Sequence, residues 1–258
     1  TVRRFDRKAH TLEKEARGVQ LIVNGWHPPY AKWSTQALQL QPAIHRAALA
    51  NDATVIIPGN VYVFGENTPA PWSETTPHLA QNSLGKIRID LEQSYRDAGV
   101  RTIVLRAGDY LDTEASGNWF DKIMAPSLSK GVLTFPGRID IDRAYGYLPD
   151  VARAAVALSE KRDELPRFID VPFTGFTLSA EQMAAHLAHA RGHDVRVKKM
   201  AWWPLRLMWP FMPDMKFIFE MRYIWNTSHS LDGTRFNELL PEFQPTPVEE
   251  ALGQAASF

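Results

Sequence analysis

The sequence predicts an α/β protein: a parallel sheet with helices on both faces, followed by a smaller C-terminal α+β lobe. Three observations predict it. Short, near-continuous apolar runs recur at residues 19–23 (Val-Gln-Leu-Ile-Val), 54–57 (Thr-Val-Ile-Ile) and 100–105 (Val-Arg-Thr-Ile-Val-Leu), the pattern of strands buried on both faces. Each run ends in turn residues and is followed by a segment that can form a helix. A chain of 258 residues, 45% apolar and 22% charged, can bury a sizeable core without metal or disulfide. The alternation is regular over residues 1–165, which predicts the sheet-bearing lobe, and irregular over 166–258, which predicts the second.

The elements follow in order. Asn24-Gly25 closes the first run as a turn. Ser34 can cap a helix reaching about residue 50. Pro58-Gly59 stops the second run, and the apolar residues 61–64 end at Gly65. Residues 66–77 contain Pro69, Pro71 and Pro77, too dense for a helix. A helix is predicted from about residue 83 to 98, with Gly99 just past its end. Asp150 can cap a helix over 151–158, and 167–171 is a further short strand. Ser179-Ala-Glu-Gln182 is a capping box for a helix ending at Gly192. Residues 195–198 alternate like a half-exposed strand. Thr246-Pro247-Val248-Glu249 reads as a second capping box opening a final helix.

Composition excludes several classes. The 29 basic and 29 acidic residues cancel, so a dedicated nucleic-acid binder is not expected. The absence of cysteine removes disulfide scaffolds, thiolate metal sites and cysteine nucleophiles, and suits a reducing, cytoplasmic setting. His186 and His189 are three apart on one predicted helix, but no carboxylate or third histidine clusters with them in sequence, so no metal site is predicted. No Gly-x-Ser-x-Gly elbow is present, which argues against a hydrolase.

In α/β sheets ligands bind beyond the carboxyl ends of the strands. The residues there are Asn24-Gly25-Trp26-His27-Pro28-Pro29, Pro58-Gly59-Asn60-Val61-Tyr62-Val63-Phe64-Gly65 and Arg106-Ala107-Gly108-Asp109-Tyr110-Leu111. Taken with Leu84-Gly85-Lys86-Ile87-Arg88, the following Glu92, and Tyr147-Leu148-Pro149-Asp150-Val151-Ala152-Arg153-Ala154, the ordered set resembles the extended short-chain dehydrogenase/reductase family, the NAD-dependent epimerase/dehydratase group. The resemblance covers residues 1–165 well and the C-terminal lobe loosely. It implies a Rossmann-like fold, NAD or NADP as cofactor and a small polar or nucleotide-sugar-like substrate. It implies no nucleic-acid partner and no membrane-spanning segment, and it allows a homodimer.

The resemblance also assigns residues. Asp6 would bind the adenosine ribose and Arg7 a 2′-phosphate. Asn24, Gly25, Trp26 and Gly59 would line the cofactor, a glycine such as Gly25 letting backbone approach a ligand. Tyr110, Asn118 and Trp119 would line the substrate pocket. The departures matter as much. No Gly-x-Gly-x-x-Gly spacing occurs, and the chain starts at Thr1, so the first βα unit, roughly 25–30 residues, is expected upstream. The family's acid/base Tyr falls on Leu84 and its Lys on Arg88; a slip of two places them on Asn82 and Lys86. Leucine transfers no proton, and arginine stays protonated, so Arg88 can hold ribose but is a poor base. Asn60 takes the place of the family's Ser, and Tyr62 is the nearest tyrosine that could act as a surrogate acid.

Residues 200–225 hold five of the seven Met and four of the eight Trp. Pro204, Pro210, Pro213, Arg206 and Lys216 interrupt them too often for a bilayer span. Core packing, an adaptable apolar lid and a membrane-surface patch all fit. The missing Tyr supports a rival reading: a non-catalytic NAD(P)-binding sensor or assembly protein presenting this stretch to a partner.

Overall fold

The computed structural model describes residues 9–208, 212 and 214–257. Asp6 and Arg7 lie outside them. The central sheet is parallel, with β1 (Leu21–Val23), β2 (Thr54–Gly59), β3 (Thr102–Arg106) and β7 (Phe168–Pro172) side by side in that order. Every residue of β3 is buried, as expected for a strand covered on both faces. On one side pack α1 (Ala9–Glu15), α2 (Gln41–Ala50) and α3 (Ser83–Asp97), where Leu12, Ile44, Ala47, Leu91 and Tyr95 close over Val55, Ile57 and Val104. On the other, Val151, Ala154 and Leu158 of α4 (Leu148–Glu160) and Phe236 of α8 (Thr234–Leu239) cover Ile56, Ile103, Leu105 and Val171.

The second lobe is woven from both halves of the chain. β4 (Asp109–Leu111), β6 (Arg143–Tyr147) and β8 (Phe176–Leu178) form one small sheet, and β5 (Val132–Phe135) pairs with β9 (Arg196–Lys199) in another. α5 (Ala180–Arg191) and α9 (Val248–Ala255) pack together over them. A cut after residue 165 therefore does not separate the lobes. β4, β5 and β6 precede it yet belong to the second lobe, and β7 follows it yet completes the central sheet.

Local chemistry explains most element ends. Asn82 Oδ1 accepts from Gly85 N at 2.7 Å to start α3, and Gly99 ends it at φ +64°. The Ser179–Gln182 capping box forms, and Gly192 closes α5 at φ +68°. Three predictions fail for identifiable reasons. Ser34 starts no helix: the chain makes a wide turn over Trp33–Ala37, and α2 opens at Gln41. Pro42 fits a first turn, where its missing N–H costs nothing, and would break a helix begun earlier. Asp150 caps nothing, because α4 already begins at Leu148. It instead accepts 2.7 Å bonds from Thr246 N and Oγ1. That spends Thr246, so the second capping box does not form and Pro247 precedes α9.

The proline-rich loop is pinned rather than loose. Trp72 N donates to Ser230 O at 2.9 Å, and the Trp72 indole donates to Thr68 O at 3.0 Å. Its ring stacks between Phe64 and His229, with centroids at 4.4 and 4.7 Å. The Met/Trp-rich stretch contains two short helices, α6 (Trp203–Met208) and α7 (Met215–Glu220). No helix among the described residues is long and apolar enough to cross a membrane.

Candidate functional site

The C-terminal ends of β1, β2 and β3 meet around two buried arginines. Arg106, the last residue of β3, is fully buried. Its Nε lies 3.1 Å from both Asp170 oxygens, its Nη1 donates to Asn60 O at 2.6 Å, and its Nη2 donates to Glu92 Oε2 at 2.7 Å and to Asp170. Burial opposes the charge, but the two carboxylates more than offset it, and Arg106 stays protonated more firmly than a free arginine. Glu92 would be raised by burial, yet the charges of Arg106 and Arg88 hold it below the usual carboxylate range.

Arg88 stands one helical turn before Glu92 on the buried face of α3. Its Nη2 donates to Pro58 O at 2.9 Å and lies 3.7 Å from Glu92. Its Nε is buried without a partner. Desolvation lowers its pKa from the ordinary arginine value, and Glu92 pulls the other way. Beside it, burial and then the Arg88 charge push His27 below the ordinary histidine value. Gly25 lies exposed in the same turn, and a Cβ there would meet nothing within 4 Å. Tyr110 is half-buried and also feels the Arg88 and Arg106 charges, though burial keeps its hydroxyl raised.

The remaining predicted residues divide. Tyr62 and Tyr30 share a 2.8 Å hydroxyl–hydroxyl bond. Burial raises both, Tyr62 well above the ordinary value of 10, so each can donate a proton at neutral pH and neither is a base. Other residues have their polar groups committed elsewhere. Asn24 Nδ2 donates to Gln41 at 3.0 Å and Tyr95 at 2.9 Å, beneath the helices. Asn60 Oδ1 accepts from Tyr62 N at 3.0 Å. At Gly59 a Cβ would lie 2.7 Å from Val104 and 3.0 Å from Arg106, so strand packing alone demands glycine. Asn118 Oδ1 accepts from Asp121 N at 3.1 Å. Trp119 packs edge-on to Trp225, with centroids 4.2 Å apart. Trp26 is half-buried in the turn after β1.

Leu84, at the family's Tyr position, is fully buried. It sits in an apolar cluster with Trp33, Val61, Trp72, Met221 and Trp225, against which Tyr30, Tyr62 and Trp119 pack. Asn82, its counterpart in the slipped register, is spent on capping α3. Neither register therefore supplies a proton-transferring side chain.

Sequence reasoning missed two groupings. His78 lies within 3.9 Å of Glu92 and 3.8 Å of Asp170, and the three bring ligand-type atoms within 4.8 Å of one another. Arg106 already pairs with both carboxylates, so they are spent on its ion pairs rather than forming a cation cage with His78. Burial first, then the Arg106 charge, lowers His78 to about 4. The second grouping surrounds Arg143, which is 1% exposed and reaches Asp109 through Nη2 alone. Its Nε and Nη1, Tyr145 Oη and His229 Nε2 are buried without partners. A charged residue recurring on a buried helix face, as Arg88 and Glu92 do on α3, is the signal that could have found the first group. The second depends on long-range strand pairing that carries no local mark.

No protein-family model matches this sequence, and no curated protein does either. Solved structures do. MoeE5 in complex with UDP-glucose and NAD aligns with a TM-score of 0.72 at 14% identity, over 98% of this chain and 83% of that one. The fold is Rossmann-like. A UDP-glucuronic acid 4-epimerase from Bacillus cereus in complex with NAD gives 0.66 at 15% identity, over 94% and 75%. The holo GalE-like L-threonine dehydrogenase from Cupriavidus necator gives 0.73 at 14%, over 97% and 83%. These neighbours share the Rossmann-like fold, a parallel central sheet flanked by helices.

Proposed function

We propose that this chain binds NAD or NADP across the C-terminal ends of β1, β2 and β3. It would then act as an epimerase/dehydratase-like oxidoreductase on a small polar or nucleotide-sugar-like substrate. The observation that carries the reading is Arg88, a buried guanidinium with an unpartnered Nε at the sheet edge, whose charge reaches His27 in the turn that also carries the open backbone of Gly25. A buried unpaired donor is costly unless something completes it, and vicinal ribose hydroxyls suit a guanidinium. The NAD held by two of the structural neighbours supports the same assignment. A bound nicotinamide would supply or accept hydride. Arg88 would fix the ribose, His27 and Trp26 would flank it, and the Tyr30–Tyr62 pair would provide the proton donor that Leu84 cannot. Cofactor-dependent turnover across a panel of carbonyl and alcohol substrates tests the proposal. Unchanged turnover in Tyr62→Phe would remove that residue's role.

A second reading has its own support. Leu84 is sealed in an aromatic cluster where a catalytic tyrosine would stand, which favours a non-catalytic NAD(P)-binding sensor or assembly protein. Tight NADPH binding without turnover, together with a co-purifying partner lost in Trp203→Ala, would favour it. Absence of any dinucleotide binding would sink both.

A further inference from the structure

The segment after β9 presents two unlike tryptophans. Trp202 turns inward: its indole donates to Pro136 O at 2.8 Å, and its ring lies 5.8 Å from that of Trp225. Trp203 turns outward and is 70% exposed, and Leu207, one helical turn later on α6, is 68% exposed. Their spacing puts them on one face. An indole and a leucine side by side in solvent offer a small apolar face to a partner surface.

The charge along this stretch of sequence has one sign. Residues 196–208 include Arg196, Lys198, Lys199 and Arg206 and no Asp or Glu, although the whole chain is neutral. All four cations are exposed. None makes an ion pair among the described residues. Lys199 lends part of its charge to Asp140; the other three cations face solvent.

We propose that this patch docks on an anionic lipid surface. Trp203 and Leu207 would enter the headgroup boundary, with Arg196, Lys198, Lys199 and Arg206 lying over the phosphates. Tryptophan settles at the membrane–water interface, and a basic rim around an apolar face is the pattern of peripheral attachment. A nucleic acid would use the cations but gives exposed Leu207 nothing to do. The patch rests on the surface and does not insert deeply, because α6 spans only Trp203–Met208.

Flotation of the intact chain with vesicles of equal parts phosphatidylserine and phosphatidylcholine tests this, with pure phosphatidylcholine vesicles and added salt as controls. The chain should float with the anionic vesicles and be released by salt. Trp203→Ser with Leu207→Ser should lower partitioning roughly tenfold or more. Lys198→Glu with Lys199→Glu should do the same. Both pairs change exposed side chains, so the unfolding temperature should hold and report intact folding. Failure to bind anionic vesicles, equal binding to neutral ones, or undiminished binding in the Trp203/Leu207 variant would overturn the proposal. Capture of a protein or nucleic acid through these side chains, without vesicle binding, would overturn it as well.

Discussion

Arg106 ends β3 and Arg143 begins β6; both are buried, yet their surroundings differ. Around Arg106, every guanidinium nitrogen has a partner, and two carboxylates are shared with α3 and β7. Around Arg143, one nitrogen reaches Asp109, while Nε and Nη1 face no acceptor. The first arrangement locks strand, helix and neighbouring strand together. The second leaves donors that add desolvation cost without bonds. Arg88 falls between them, with one good bond and one open nitrogen. Full pairing makes Arg106 part of the framework, whereas the open nitrogen of Arg88 is where the proposed dinucleotide would bind.

The contrast can be broken by substitution. Arg106→Met should have the largest effect, because it strands Glu92 and Asp170 as buried carboxylates. Removing one partner of such a network costs about 3–5 kcal/mol. In a chain of this size that lowers Tm by on the order of 10 °C, measurable by calorimetry. Arg143→Met should cost clearly less, about 1–2 kcal/mol, since it removes two unpartnered donors along with one ion pair. Equal losses for the two would erase the distinction.

The pH dependence sharpens the second region. Burial, then the Arg143 charge, lowers His229 to about 4. Its folded pKa thus lies below the unfolded 6.5, and the unfolded chain takes up the proton first. The stability due to neutral His229 is complete above pH 6.5 and is lost as pH falls toward 4, by at most about 3 kcal/mol. His78, also lowered to about 4, adds a slope of the same sign. His229→Asn should flatten the unfolding profile between those limits, and an unchanged slope would refute the assignment. The smallest effect expected is Tyr62→Phe, about 1 kcal/mol for the lost Tyr30 bond.

Much of this was legible in the sequence and some was not. β2, β3, α3 and α5 follow from local signals: apolar runs, Asn82 and Ser179 at helix starts, Gly99 and Gly192 at helix ends. Arg88 was legible as a cation on a predicted helix facing the strand ends. What failed depended on distant partners. Thr246 looks like a cap until Asp150 claims it, and the hydrogen bonds of Asn24 to Gln41 and Tyr95 join residues far apart in sequence. Gly59 is also required by packing, since Val104 and Arg106 fill the space a side chain would need. The interleaving of the lobes rests on β4, β6 and β8 finding one another across the chain, which no local pattern encodes.

The most direct test of the central claim is calorimetric titration of the intact protein with NADH and NADPH, comparing wild type with Arg88→Met. Wild type should bind one of them. The variant should bind it at least about tenfold more weakly, a loss of roughly 1.4 kcal/mol, while Tm shifts only slightly because Arg106 still holds Glu92. No binding by wild type, or equal affinity in the variant, would contradict the account.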